Sequence, residues 1–163
     1  MVLDLKQIFD AAGESTSFAY DLDLSEYALY GTRPFVTPVH VKGEVLNRAG
    51  IVTLDYTAQF TLSLACDRCL TDFTRDYIMP FSETLVSTGD TNDDEYIEAK
   101  DGMLDMDALV VSDILLDLPS KQLCSEACKG LCPVCGVDLN HGVCQCKKKE
   151  IDPRLQALAD LLQ

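Results

Sequence analysis

The sequence predicts an α+β fold: a mainly antiparallel β-sheet, sandwich- or barrel-like, with one packed helix and a C-terminal cysteine-rich zinc-knuckle segment. Three observations carry this. Val52, Leu54, Tyr56, Ala58, Phe60, Leu62, Leu64 and Cys66 alternate with Thr53, Asp55, Thr57, Gln59, Thr61 and Ser63, the period-2 pattern of a long strand wet on one side. A single apolar stripe of helical period follows near residue 104. Residues 120–150 hold six of the eight cysteines and few large apolar residues, too few to fold without a crosslink or a metal.

The elements follow in chain order. Phe18, Tyr20, Leu22 and Leu24 alternate with polar residues and predict a half-buried strand. Val39, Val41 and Val45 share one face of the next strand, with Gly43 at the remaining position, and Asn47-Arg48-Ala49-Gly50 is a turn signal. After the long strand, Cys66-Asp67-Arg68-Cys69 makes a tight connection. Phe73, Tyr77, Met79 and Phe81 then alternate as the returning hairpin partner, which puts the Cys-x-x-Cys pair at the hairpin tip. Gly89–Glu95 is acidic and aperiodic, the pattern of a mobile, solvated loop.

Leu104, Ala108, Val111, Leu115 and Leu118 step by 4, 3, 4 and 3, predicting a helix over about 104–118 that packs on the sheet. Asp105 or a neighbouring aspartate would cap its start, and Pro119 would end it. Asp152-Pro153 is an N-cap followed by proline at the first helical position, and Leu155, Leu158, Ala159 and Leu162 give the face of a short closing helix. The expected organisation is an antiparallel β domain over residues 1–119 and a cysteine-rich zinc-binding segment over 120–163.

Composition narrows the function. The net charge is −14, with 7 basic and 22 acidic residues in 1–118 against 6 and 5 in 119–163. Such an acidic chain repels phosphate at long range, so any nucleic-acid contact falls to the C-terminal part, through Lys121, Lys129, Lys147, Lys148, Lys149 and Arg154. No run of about 18 apolar residues is present, which predicts no membrane span. The first residues have neither the apolar core of a secretory signal nor the basic character of a transit peptide, so the expected location is cytoplasmic. Thiols stay reduced there, and clustered cysteines point to metal or redox chemistry.

The cysteines pair by spacing: Cys66/Cys69, Cys124/Cys128, Cys132/Cys135 and Cys144/Cys146. Zinc takes four tetrahedral ligands, commonly two from each of two turns. Cys132-Pro133-Val134-Cys135-Gly136 has the form of a zinc knuckle, in which glycine permits a positive φ and backbone N–H groups face sulfur. Eight residues separate Cys135 from Cys144, short enough for Cys144 and Cys146 to complete that site. Cys66, Cys69, Cys124 and Cys128 would then form a second set that ties the tail to the sheet. Spacing also permits Cys66/Cys69 with Cys132/Cys135, and Cys124/Cys128 with Cys144/Cys146, or a single filled site. One or two zinc ions are expected. Iron–sulfur is the main metal alternative, and a thiol redox or metal-handling protein using the Cys-x-x-Cys pairs is the main functional one. His141 lies in the knuckle loop, where four cysteines already suffice. The chain has no G-x-S-x-G, H-E-x-x-H or phosphate-loop motif, and sites closed by four thiolates leave no position for substrate. Neither an enzyme nor a small-molecule substrate is expected.

The long strand ending in Cys66-Asp67-Arg68-Cys69-Leu70, the run from Leu123 to Asn140 containing Cys-Lys-Gly-Leu-Cys-Pro-Val-Cys-Gly, the later Cys144-Gln145-Cys146 and Ile151-Asp152-Pro153-Arg154-Leu155 together resemble the YceD family over essentially the full length. The resemblance implies a bacterial or plastid protein needed for accumulation of 23S ribosomal RNA and hence for large-subunit biogenesis, with no enzymatic activity. An assembly factor of that kind would bind a large-subunit ribosomal protein or precursor rRNA, and the acidity of residues 1–118 argues for the cationic protein.

Overall fold

A computed structural model describes residues 1–29, 31–87 and 96–146. The elements are β1 (Val2–Asp4), α1 (Lys6–Asp10), β2 (Ser15–Leu22), β3 (Val39–Arg48), β4 (Ile51–Ala65), β5 (Asp72–Ser87), β6 (Ile97–Ala99), β7 (Met103–Asp105) and α2 (Met106–Asp117). Strands β2-β3-β4-β5-β6 form one sheet in sequence order, and β1 pairs with β7 in a small second one. All pairings are antiparallel except β5 with β6.

The sheet is built around β4. From Val52 to Leu64 every second residue is buried. Its alternation continues across Val39, Val41 and Val45 on β3 and Tyr77, Met79 and Leu85 on β5. That face meets Leu5 and Ile8 from the α1 region and Met106, Leu109, Val110 and Ile114 of α2 in one hydrophobic core. The opposite face carries the serines, threonines and charged residues, as the period-2 pattern requires. The β3–β4 hairpin closes with a two-residue turn, Ala49 at φ 53° and Gly50 at φ 94° between the paired Arg48 and Ile51. Two positive φ values match the right-handed twist of the flanking strands. Buried Asn47 ties this turn to the N-terminus: its Nδ2 donates to Ile8 O (2.6 Å), and its Oδ1 accepts from Gly50 N (2.9 Å).

Gly43 makes a specific fit. A Cβ there would lie 2.4 Å from the Cβ of Tyr56 on the neighbouring strand. The vacancy lets the Tyr56 ring stand against Phe81, centroids 5.1 Å apart, and its hydroxyl donates to Asp113 of α2.

Two expectations need correction. Among the described residues the sheet does not close into a barrel, and no second large sheet makes a sandwich: β2 and β6 end the row without pairing to each other. The alternation records only one buried face, and helices supply its cover. The helix, α2 (Met106–Asp117), falls inside the expected span of about 104–118, but its buried face matches the expected stripe only in part. Leu104 belongs to β7 and pairs with Leu3. Ala108 is exposed, Val111 and Leu115 are half-buried, and the buried side is Met106, Leu109, Val110 and Ile114. The segment is apolar almost all round, so two stripes fit the same period and only the sheet selects between them. Asp105 does cap α2, accepting from Asp107 N (3.1 Å) and Ala108 N (3.4 Å). The short elements β1, α1, β6 and β7 have too few residues to show a period. The acidic run Gly89–Glu95 and the C-terminal helix expected from Asp152 to Leu162 lie outside the described residues.

Candidate metal centres

The β4–β5 connection is built as a knuckle. Leu70 N donates to Cys66 O (2.8 Å), turning the chain so that Cys66 and Cys69 face the same way. After α2 the chain runs back along this hairpin and is fastened to it at several points. Gln122 N donates to Asp67 Oδ2 (2.6 Å), and Asp67 N to Gln122 O (2.8 Å). Tyr77 OH donates to Gln122 Oε1 (3.0 Å), and Arg75 Nη2 to Leu123 O (2.6 Å). Arg68 Nη1 donates to Cys128 O (2.8 Å), while Leu131 N donates to Arg68 O (3.0 Å). Gly130, at φ 72°, permits this approach: a Cβ there would sit 2.8 Å from Arg68 O.

The result is a cluster of four sulfurs, Cys66, Cys69, Cys124 and Cys128, all within 4.8 Å of one another. Sγ of Cys66 lies 3.8 Å from that of Cys128, and Sγ of Cys69 lies 3.6 Å from that of Cys124. Cys66, Cys69 and Cys128 are buried, in a small apolar cluster with Phe73, Leu123 and Leu131 beside them.

A second knuckle repeats the first. Gly136 N donates to Cys132 O (2.9 Å), and Val134 N points at Cys132 Sγ (3.4 Å). Cys144 and Cys146 return to it, with Cys146 N donating to Cys144 Sγ (3.3 Å). These four sulfurs also lie within 4.8 Å of one another, Cys132 to Cys144 at 3.2 Å and Cys135 to Cys144 at 3.6 Å. This cluster is wetter: Cys132 is buried, Cys144 and Cys146 are half-buried, and Cys135 is exposed. Asn140 joins the two, donating from Nδ2 to Cys128 Sγ (3.4 Å) and accepting from Lys129 N (2.8 Å).

The donor sets fit a tetrahedral ion. Four sulfurs about 2.3 Å from a central ion stand roughly 3.8 Å apart along each edge, close to the separations here. The electrostatics point the same way. Burial pushes the Cys66 thiol up, but backbone N–H groups of Cys124, Cys69 and Arg68 outweigh it and hold it at about 6. The N–H groups of Cys135 and Val134 likewise bring Cys132 down to about 6. Burial and the neighbouring thiols push Cys124 up to about 12, and the thiols of Cys144 and Cys135 with burial push Cys146 up to about 12. Each cluster takes its first negative charge readily and resists the rest unless a cation balances them.

Of the groupings that spacing allowed, the fold brings together Cys66/Cys69 with Cys124/Cys128 and Cys132/Cys135 with Cys144/Cys146. His141 stays outside, its side chain exposed and 3.9 Å from Asp138 Oδ2. Sequence reasoning did not identify Asp67, Arg68, Arg75, Tyr77, Gln122 and Asn140, which hold the cysteine segments in place. The Asp inside the Cys-x-x-Cys pair and the Gln two residues before Cys124 carry no signal until the tail is seen against the hairpin. Among the described residues no helix is long and apolar enough to cross a membrane.

An antiparallel sheet whose hairpin tip is joined to a cysteine-rich tail, with two four-thiol centres, defines a class of small α+β proteins with candidate metal sites. The chain belongs to the YceD family, described as large ribosomal RNA subunit accumulation protein, whose profile matches residues 54–162. It is 33% identical over 131 residues to the uncharacterized protein YlbN of Bacillus subtilis, covering 78% of this chain and 76% of that one. It is 24% identical over 159 residues to the large ribosomal RNA subunit accumulation protein YCED homolog 1, chloroplastic, of Arabidopsis thaliana, covering 78% of this chain and 50% of the plant protein. An uncharacterized protein of Mycobacterium tuberculosis is 33% identical over 72 residues, 44% of this chain and 34% of its own length. No solved structure matches the chain.

Proposed function

We propose that this chain is a non-enzymatic, cytoplasmic ribosome biogenesis factor needed for accumulation of 23S rRNA, with two structural zinc ions held by its eight cysteines. Family membership supports the first part. The observation that carries the second is the pair of four-sulfur clusters. Four thiolates close a zinc shell and leave no position for substrate, which is structural chemistry. Pro133 beside the first ligand and Gly136 after the second favour zinc over an iron–sulfur cluster. In this reading residues 120–163 are a segment that metal organises and fastens to the β domain of residues 1–119. The direct partner is a large-subunit ribosomal protein or precursor rRNA, and the acidity of residues 1–118 favours the cationic protein.

The thiol redox reading is weaker. Cys66 and Cys69 are 0% and 6% exposed, which closes that pair to the attack that exchange requires; Cys135 is exposed, but among the described residues neither Cys-x-x-Cys pair begins a helix.

Depletion of the chain in its own cell, with 23S and 16S rRNA quantified side by side, tests the function. A fall in 23S relative to 16S, restored by the intact gene, is expected. An unchanged ratio on depletion would overturn the reading.

A further inference from the structure

A hydrogen bond runs from the loop of the second four-thiol centre to a ligand of the first. Backbone N–H groups face the sulfurs of Cys66 and Cys132. Cys128 faces a side chain, with Asn140 Nδ2 donating to its Sγ (3.4 Å). Cys128 is 3% exposed, which leaves water little room to replace that amide. Asn140 itself lies in the loop between Cys135 and Cys144, both of the other centre. Its side-chain amide is held from two sides. Oδ1 accepts from Lys129 N (2.8 Å), next to Cys128 in the chain. Nδ2 also donates to Asp138 Oδ1 (2.8 Å), an oxygen that accepts from Asn140 N as well (2.8 Å).

The loop that carries Asn140 has little core of its own. Val137 and Val143 are 37% and 92% exposed, so apolar burial contributes little to its order. Cys132 N to Val137 O (2.9 Å) and Leu139 N to Gly130 O (2.9 Å) tie it back to the preceding segment. An ion held by Cys132, Cys135, Cys144 and Cys146 would fix both of its ends. A donor aimed at a thiolate favours the charged sulfur, and the charged sulfur is the form that binds metal. We propose that Asn140 couples the two centres: an ion in the second holds the loop that presents the Asn140 amide to Cys128, and so tightens metal binding in the first. By linkage, an ion in the first centre tightens the second by the same factor. The inference rests on the reading that zinc fills both centres.

The test uses the full, zinc-loaded chain. A chromophoric zinc chelator at rising concentration strips the ions, and a brief N-ethylmaleimide pulse followed by peptide mass analysis reports which cysteines have been freed. N140A should weaken zinc in the first centre about tenfold. C144S/C146S, which empties the second centre, should weaken the first by a similar factor. The combined variant should weaken it no further than either alone, because both changes remove the same hydrogen bond. N140D keeps an acceptor for Lys129 N but sets a carboxylate beside the Cys128 thiolate, and should weaken the first centre more than N140A does. First-centre zinc held as tightly in N140A or N140D as in the parent would overturn the proposal, and so would additive losses in the combined variant. Either result in a chain that carries two zinc ions sinks the coupling alone, whereas a parent chain without zinc sinks the zinc reading along with it.

Discussion

Leu70 and Gly136 occupy the same place in two knuckles. Each follows the second cysteine, each donates its N–H to the carbonyl of the first, and each has a positive φ, 60° and 73°. Glycine takes that conformation without strain, whereas a residue with a Cβ loses about 1 kcal/mol. Leu70 is 68% exposed, so burial returns little of that loss. Leu70→Gly should therefore raise the stability of the metal-loaded protein by up to about 1 kcal/mol, and Gly136→Leu should lower it by about 1–2 kcal/mol. Denaturant midpoints measure both. A clear loss of stability in Leu70→Gly would mean that the leucine side chain packs more than its exposure indicates. The Gly136 knuckle was legible in the sequence because proline and glycine mark it. The Leu70 knuckle was legible only from its cysteines, since leucine gives no sign of a positive φ.

At the scale of elements, α2 and the sheet meet through a polar contact set in an apolar interface. Burial pushes the Asp113 carboxyl above the ordinary range, although the Tyr56 hydroxyl bonded to it pulls the other way. Burial and the nearby Asp113 raise Glu83 on β5 as well. A carboxyl with a higher pKa folded than unfolded binds more protons in the folded state. Its stabilising contribution is complete at acid pH, below its unfolded value, and disappears as the pH rises through its folded value. Stability should thus decline across this interface as the pH climbs past the ordinary carboxylate range. Asp113→Asn, which removes the charge and keeps an acceptor for Tyr56, should flatten that decline in melting curves between about pH 4 and pH 7. An unchanged slope would place the pH dependence elsewhere. The strands β2 to β5 were readable because a half-buried sheet writes period 2 into the chain. The face of α2 was not, because Leu109, Val110, Val111, Ile114, Leu115 and Leu116 surround the helix with apolar residues, and only contact with Tyr56 and the core decides which are buried.

At the scale of the molecule, the described residues of the cysteine segment are fastened to the sheet along the β4–β5 hairpin. The first cluster takes two ligands from the hairpin and two from the tail, so an ion there would crosslink residues about 60 apart, while the second lies wholly within residues 132–146. The grouping of cysteines needed the fold, since spacing allowed other pairings and the hydrogen bonds that fasten the tail to Asp67, Arg68 and Arg75 bring Cys66 against Cys128. The wet second centre should exchange its ion faster than the dry first one. Zinc in two separate four-thiolate centres is the central claim, and elemental analysis of protein purified without added metal tests it directly. The intact chain should carry two zinc ions, and Cys132→Ser and Cys66→Ser should each lose one. If neither variant loses zinc, or if the metal found is iron with acid-labile sulfide, the account is contradicted.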